Sequence, residues 1–499
     1  MELANRPKEF KWWILIPLVG ISVVLLSIWI WTFPFKWALY GTLAVIFVFA
    51  LPLIPNLKKF ILGLTIFILP LEIEYNLITL PGKYGVNKIA LGPVDVLLFL
   101  LLVMWIYDAS RAKTTGHIRF FPAISVPSIF LILAAGLSMI NAIDRGAVAV
   151  LIFTFIKAFV FFWVLANTIN SEEDLNFVVK IFLLTIVVQC LLFLLYFYTG
   201  ETLAFLGIGE EGKTRLSFRG RIVEVIRPAG TLGHVASFIK YLLLFLPMAV
   251  TLSLYPKLFR YKGLPLITTF FGIMVLILSV LRGGWLAFVF AALFIPFLLF
   301  HYRLLSLKTI INIFIFVIIL CCLVFYYNDI ILDRLTTPDK GSAHSRITTV
   351  KVAIKVIQDY PIFGVGLGNY LLFIDDYWIS EDPFTSYALV HNYYFGLTSE
   401  MGLVGLSAFL WLLMAMFFRS CRILRSRLRS FRILGVGLIA TMIAFLILSN
   451  TNIADYGNPI LFMAFFGVAA IIESVNKLNE VYGEKVFQIL ENKRWTDEF

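Results

Sequence analysis

Of the chain's 499 residues, 61% are hydrophobic and only 14% charged, which excludes a soluble globular protein and requires an integral membrane one. The formal net charge is +11, but the basic residues fall between apolar runs, so they mark one side of a membrane and not a nucleic-acid surface. The four cysteines, Cys190, Cys321, Cys322 and Cys421, have neither metal-ligand nor disulfide-framework spacing and read as packing residues.

The expected fold is all-α and polytopic. Apolar windows lie at 12–33, 37–55, 59–71, 92–107, 121–140, 147–168, 176–198, 231–254, 264–281, 285–300, 309–327, 402–418, 433–449 and 459–475. They predict about fourteen transmembrane helices, or about twelve if the shortest windows do not cross. The first run is long enough to span and lacks a small-residue cleavage site, so it reads as a helix and not a removable signal. Alternate threading puts Arg6, Lys8 and Lys11, Lys58 and Lys59, Arg111, Lys113 and Arg119, Lys257, Arg260 and Lys262, Arg303 and Lys308, and the run RSCRILRSRLRSFR on one side. By the positive-inside rule that side is cytoplasmic, and both termini lie there; only the acidic NSEED at 170–174 departs from the pattern.

The same threading places 199–230, 282–284 and 328–400 outside. Few ionisable residues interrupt the spans, which disfavours a proton relay, and no internal repeat supports an inverted-repeat transporter. The organisation that follows is a bundle over 1–327 with its outer loop 199–230, an outer half-lid over 328–400, C-terminal spans over 401–475 and a cytoplasmic tail over 476–499.

Within the half-lid, 345–359 reads as an amphipathic helix with Val350, Ala353, Ile354 and Ile357 on its apolar face, capped by Ser342 or Ser345. Pro361 ends it, and Gly364, Gly366 and Gly368 permit a sharply turning backbone. A polar, aromatic-bearing loop over 375–390 then delivers His391 and Asn392 to the rim of the next span.

His391 reads either as a rim residue bonded to backbone or as a general base, since a neutral imidazole accepts a proton from an attacking hydroxyl and nearby cations keep it neutral. Arg346 and Arg282, at outer helix ends, read as snorkelling anchors or as a pair that binds a diphosphate through guanidinium forks. Lys213, Arg215, Arg219, Arg221 and Arg227 form either a solvated loop with internal ion pairs or a collar for an anionic headgroup. Arg227 stands out because it precedes the PAGTLGH turn at the start of a helix, whose N-terminus favours anions. Asp375 and Asp376 lack a second ligand cluster, so no metal site is expected, and GVGLG follows no strand, so no dinucleotide site is expected either.

Together, SRITTVKVAIKVIQDYPIFGVGLGNY, HNYYFGLTSEMGLVGL and the earlier LRGGWLA resemble the O-antigen ligase and polymerase superfamily of bacterial membrane glycosyltransferases. Val235 and Ala236 depart from it, standing where a Pro-Asn pair is frequent. The resemblance implies a glycan taken from an undecaprenyl diphosphate carrier at the periplasmic face of the bacterial inner membrane, with His391, Arg346 and Arg282 as the site residues. Arg227, Arg221, Arg219, Arg215 and Asn392 are further candidates for substrate contact. The implied reaction is a single, inverting displacement without metal or cofactor, and the acceptor is lipid A-core, a second lipid-linked repeat or a protein. A lipid-linked oligosaccharide flippase is the rival from another class; it would need polar residues facing a cavity within the spans and no histidine.

Overall fold

The computed structural model describes residues 54–71, 75–79, 88–111, 119–199, 213–218, 221–226, 228–256, 263–329, 331–332, 342–378, 389–451 and 458–496. The window at 12–33, most of that at 37–55, and the basic residues Arg6, Lys8, Lys11, Lys113, Lys257, Arg260 and Lys262 lie outside them.

Helices dominate: α1 (Leu57–Ile68), α2 (Pro93–Arg111), α3 (Pro122–Leu137), α4 (Arg145–Thr168), α5 (Glu172–Thr199), α6 (Val235–Leu243) and α7 (Leu246–Ser253). They are followed by α8 (Leu264–Leu278), α9 (Arg282–His301), α10 (Leu307–Tyr326), α11 (Ser342–Asp359), α12 (Tyr370–Tyr377), α13 (Tyr393–Ile423), α14 (Arg429–Ser449) and α15 (Pro459–Thr496). Among the described residues nine helical stretches are long and apolar enough to cross a membrane, and α8 is apolar but shorter. The segment expected as a separate tail continues α15 as helix through Thr496.

Two antiparallel hairpins add to the helical architecture: β1 (Tyr75–Thr79) with β2 (Lys88–Leu91), and β3 (Lys213–Phe218) with β4 (Arg221–Ile226). The second is in register from Lys213↔Ile226 to Phe218↔Arg221, so part of the expected outer loop is a ladder. Its sequence, two β-prone runs about an Arg-Gly pair, carries that pattern. The span expected at 231–254 is split at Leu244 and Phe245, because Pro247 in the first turn of α7 has no N–H to continue the α6 ladder.

The helices α6 and α7 are almost wholly buried, whereas α10 buries almost nothing. Around them α4 packs on α15, α9 on α14, and α3 on α13. The two ends of the bundle differ in chemistry. At one end lie the ion pairs Lys58–Asp108, Lys59–Glu173 and Arg119–Glu480, and Arg419 grips the buried Glu473 through two bonds of 2.7 and 2.6 Å. Arg429 and Arg432 donate to the Leu304 and Tyr302 carbonyls there. The described basic residues of the sequence pattern thus gather at one end.

At the opposite end the half-lid locks onto a break in α13. Gly402 leaves helical geometry at φ 65° and ψ −169°, which frees backbone groups on both sides of it. The segment after α11 takes them up. The Ser399 and Glu400 carbonyls accept from Val365 and Gly366 N–H at 3.0 and 2.9 Å, while Leu403 and Val404 N–H donate to the Pro361 and Ile362 carbonyls at 2.8 and 3.3 Å. Both glycines at the crossing are required sterically: a Cβ on Gly402 would lie 2.1 Å from the Ile362 oxygen, and one on Gly364, at φ 66°, 2.4 Å from the Glu400 carbonyl carbon.

The buried Glu400 carboxylate adds two bonds, accepting from Gly368 N–H at 2.8 Å and Tyr370 N–H at 3.4 Å. Across the turn, Asn369 exchanges bonds with the Asp144 backbone, Asn141 donates to the Gly364 carbonyl, and Leu367 N–H donates to Ser138 Oγ. The lid has its own small core of Val352, Ala353, Val356, Val365, Tyr370, Phe373, Ile374 and Val390.

The lid helix begins at Ser342, earlier than its expected start, and buries a stripe shifted from the one expected, with Ala353 common to both. Thr349, Val352, Ala353 and Val356 face inward, while Ile354 is 39% exposed. The sequence offers two overlapping stripes at helical spacing, and the contact with Tyr370 and Phe373 selects the smaller side chains.

Substituting Gly402→Ala imposes left-handed strain of about 1–2 kcal/mol before any clash is counted. At Gly136 nothing lies within 4 Å of an added Cβ, so Gly136→Ala is the control. Thermal unfolding in detergent should show a lowered midpoint for Gly402→Ala and none for Gly136→Ala. Equal midpoints would contradict the crossing as described.

Candidate active site

His391 sits where the lid's core ends and α13 begins. Val390 is buried in the lid, and Asn392 caps α13 by accepting from Tyr394 and Phe395 N–H at 3.0 and 3.2 Å. The imidazole is half-buried, and its Nδ1 makes no well-formed hydrogen bond among the described residues. Burial disfavours its charged form, the Arg346 guanidinium pushes the same way, the Leu389 backbone opposes them, and Lys240 adds a further push toward the neutral form. The net result is a pKa below the ordinary 6.5.

Arg346 is exposed in the first turns of α11. Lys240 comes from α6, inside the span expected at 231–254, where its embedding in an apolar run hides it from a reading by hydropathy. Its signal was there: an ionisable side chain inside a span is a functional candidate. Lys157 is another, paired with Asp95 at 3.1 Å with both side chains largely buried.

Arg282 is the first residue of α9. Just before it Val280 adopts φ 54°, a strained conformation for a β-branched residue. The first turn of α9 presses on α6, since a Cβ on Gly284 would lie 2.8 Å from Ile239 Cγ2, one residue from Lys240. Arg346 and Lys240 thus both bear electrostatically on His391, and the helix end bearing Arg282 packs against the element bearing Lys240.

Arg215 and Arg221 belong to β3 and β4, and Arg219 and Arg227 lie outside the described residues. Asn392 acts as a helix cap, with weak contacts to Asn450. His234 caps α6 through Nδ1, which accepts from Ala236 N–H at 3.1 Å. Asp375 and Asp376 are exposed at the end of α12. Beside them Tyr377 donates to Asp359 at 2.6 Å, and desolvation with that bond pushes its phenol above the ordinary 10.

A small cavity of about 50 Å³ opens among α6, α13, α14 and α15, with Tyr393 of its lining two residues beyond His391. Lys240, Tyr393 and Ser449 line it with an otherwise apolar wall that includes Phe409, Phe445 and Phe465. An imidazole kept neutral, with cations bearing on it, suits proton abstraction next to an anionic group.

Residues 267–410 match the model of the O-antigen ligase family, Wzy_C. The resemblance read from the motifs is thereby shown over that segment, which runs from α8 to α13 and includes Arg282, Arg346, His391, Glu400 and Gly402. Lys240 and the β3–β4 hairpin fall outside it. No curated protein matches the chain. The family match and the helical bundle support a membrane glycosyltransferase of O-antigen ligase or polymerase type.

If Arg346 bears on the imidazole as described, Arg346→Gln should raise the pKa of His391. Histidine-selective NMR of the detergent-solubilised protein should show the His391 resonance titrating below 6.5 in the wild type and higher in the variant. An unshifted titration would separate the two groups.

Proposed function

We propose that the protein is an O-antigen ligase-type glycosyltransferase that moves a glycan from undecaprenyl diphosphate to lipid A-core at the periplasmic face of the bacterial inner membrane. The single observation that carries the reading is a half-buried histidine held neutral beside Arg346, inside the segment that matches the O-antigen ligase family. His391 removes the acceptor hydroxyl proton as that oxygen attacks the anomeric carbon. The bond from that carbon to the carrier's phosphate oxygen breaks, and the electron pair leaves with the diphosphate. Arg346 and Arg282 stabilise the charge that develops on it. One displacement inverts the anomeric configuration.

A diphosphate is a good leaving group without a Lewis acid, so the reading is metal-independent. Among the described residues no three His, Cys, Asp or Glu side chains cluster to hold an ion. Use of a second lipid-linked repeat or a protein as acceptor would employ the same three residues, and the choice among acceptors rests on the family's description as a ligase. Basic residues gathered at the end opposite His391 support the periplasmic placement, because cytoplasmic loops carry the excess of Lys and Arg.

In proteoliposomes supplied with a lipid-linked glycan and a defined acceptor, His391→Ala should reduce transfer by about 10²–10⁴-fold while carrier binding persists. Arg346→Ala should lose both, and Arg346→Lys should rescue poorly because an ammonium lacks the planar fork. Full transfer by a folded His391→Ala protein would remove the base.

Transfer should also persist in EDTA. Loss restored by Mg²⁺ or Mn²⁺ would require a metal-assisted mechanism and return attention to Asp375 and Asp376.

A further inference from the structure

At the end of the bundle opposite His391, the turn joining α9 to α10 gathers cations that neither the ion pairs nor the proposed reaction uses. Helix α9 closes with Arg303 N–H donating to the Phe300 carbonyl at 3.0 Å and Leu304 N–H reaching back to the Leu299 carbonyl at 2.9 Å, the paired bonds of a Schellman ending. The left-handed residue of such an ending is usually glycine, yet here it is Arg303, at φ 51°. Its side chain is exposed, so packing does not account for a strained arginine at this position. Two further guanidiniums reach the same turn from α14: Arg429 donates to the Leu304 carbonyl at 2.9 Å, and Arg432 to the Tyr302 carbonyl. Arg432 Nε is buried and makes no well-formed hydrogen bond among the described residues. Lys308, exposed in the first turn of α10, adds a fourth cation beside a helix N-terminus, which itself favours anions.

Carboxylates do not balance this group. The ion pairs at this end engage Arg119, Arg419 and Arg422, and among the described residues none includes Arg303, Lys308, Arg429 or Arg432. Apolar surface begins on both sides of the turn, with Phe300 73% and Leu307 74% exposed, and α10 buries almost nothing along its length. Cations at the edge of an apolar face match an amphiphile with a phosphate head and hydrocarbon tails. A soluble phosphate would gain nothing from Phe300 and Leu307, and an acidic protein segment would have to sit where the membrane-spanning surface starts.

We propose that Arg303, Lys308, Arg429 and Arg432 form a binding site for the headgroup of an anionic phospholipid, whose acyl chains lie along Phe300, Leu307 and the exposed face of α10. Guanidinium forks suit phosphodiester oxygens, and two of the three are already oriented by their bonds to backbone. The lipid ties the end of α9 and the start of α10 to the start of α14. This site lies apart from the proposed reaction, and its test needs no glycan.

The test uses the full chain, delipidated in neutral detergent, with diphosphatidylglycerol as the probe. Native mass spectrometry counts bound lipid, and thermal unfolding checks the fold. Diphosphatidylglycerol should bind and raise the unfolding midpoint, phosphatidylcholine should do neither, and inorganic phosphate at the same concentration should not displace the lipid. Arg303→Gly separates a lipid site from a purely structural turn, because the two readouts move in opposite directions. Glycine relieves the left-handed strain, so the lipid-free variant should unfold at a higher temperature than the wild type while binding the lipid about fivefold more weakly. Adding Lys308→Gln should bring the loss to about twenty- to thirtyfold. Arg422→Gln, which removes a charge at the same end from an arginine paired with Glu480, should leave the affinity unchanged. Wild-type affinity in a folded protein carrying Arg303→Gly and Lys308→Gln, an equal loss in Arg422→Gln, or equal stabilisation by phosphatidylcholine would overturn the site. Displacement of the lipid by soluble polyglutamate would assign the cations to an acidic protein partner and overturn it as well.

Discussion

The exchange of backbone hydrogen bonds across Gly402 is the constraint on which the lid end of the molecule depends. A helix broken in an apolar bundle leaves carbonyls and amides that water cannot reach, each costing about 1–3 kcal/mol if unmet. Here the break is complemented by residues 361–366, so two carbonyls and two amides of α13 are paired with groups of matching kind. The geometry has little freedom, because glycines meet backbone on both sides. Glu400 extends the lock from main chain to side chain: its carboxylate accepts from the turn that opens α12. The same α13 that carries the break is capped at its start by Asn392, next to His391, so fixing the lid to Gly402 fixes it relative to His391.

From that lock the electrostatics of the site follow. Arg346 from the lid and Lys240 from the bundle both push the imidazole toward its neutral form. Two cations of different parentage beside one half-buried histidine favour its neutral form, and the same cations suit a phosphorylated substrate. The strained Val280 before Arg282 fits the same pattern, since backbone strain persists where surrounding structure holds a side chain in a required position. The ion pairs at the other end join α13, α15 and their neighbours.

Much of this was legible in the sequence where the signal is local. Pro361 and the three glycines announced a helix end and a tight turn, and Gly364, Gly366 and Gly368 all have positive φ. The amphipathic helix before them was readable within three residues of its start, but its buried stripe was not, since the choice between Ile354 and Val352 is made by partners on α12. The crossing at Gly402 depends on residues some forty positions away, and no local period reveals it. Pro247 marked the split between α6 and α7, yet the continuous apolar run hid it. Lys240 was concealed in the same way, by neighbours that made its window a good span.

The most direct test of the central claim, that His391 drives a single displacement from a lipid diphosphate, is the anomeric configuration of the product. The purified wild-type protein in vesicles would be given an undecaprenyl-diphosphate-linked glycan of known anomer and an acceptor, and the new glycosidic bond read by NMR. The account predicts a transferred glycan of inverted configuration, with undecaprenyl diphosphate released. Retention of configuration, or carrier moved across the bilayer with no glycosidic bond formed, would contradict it.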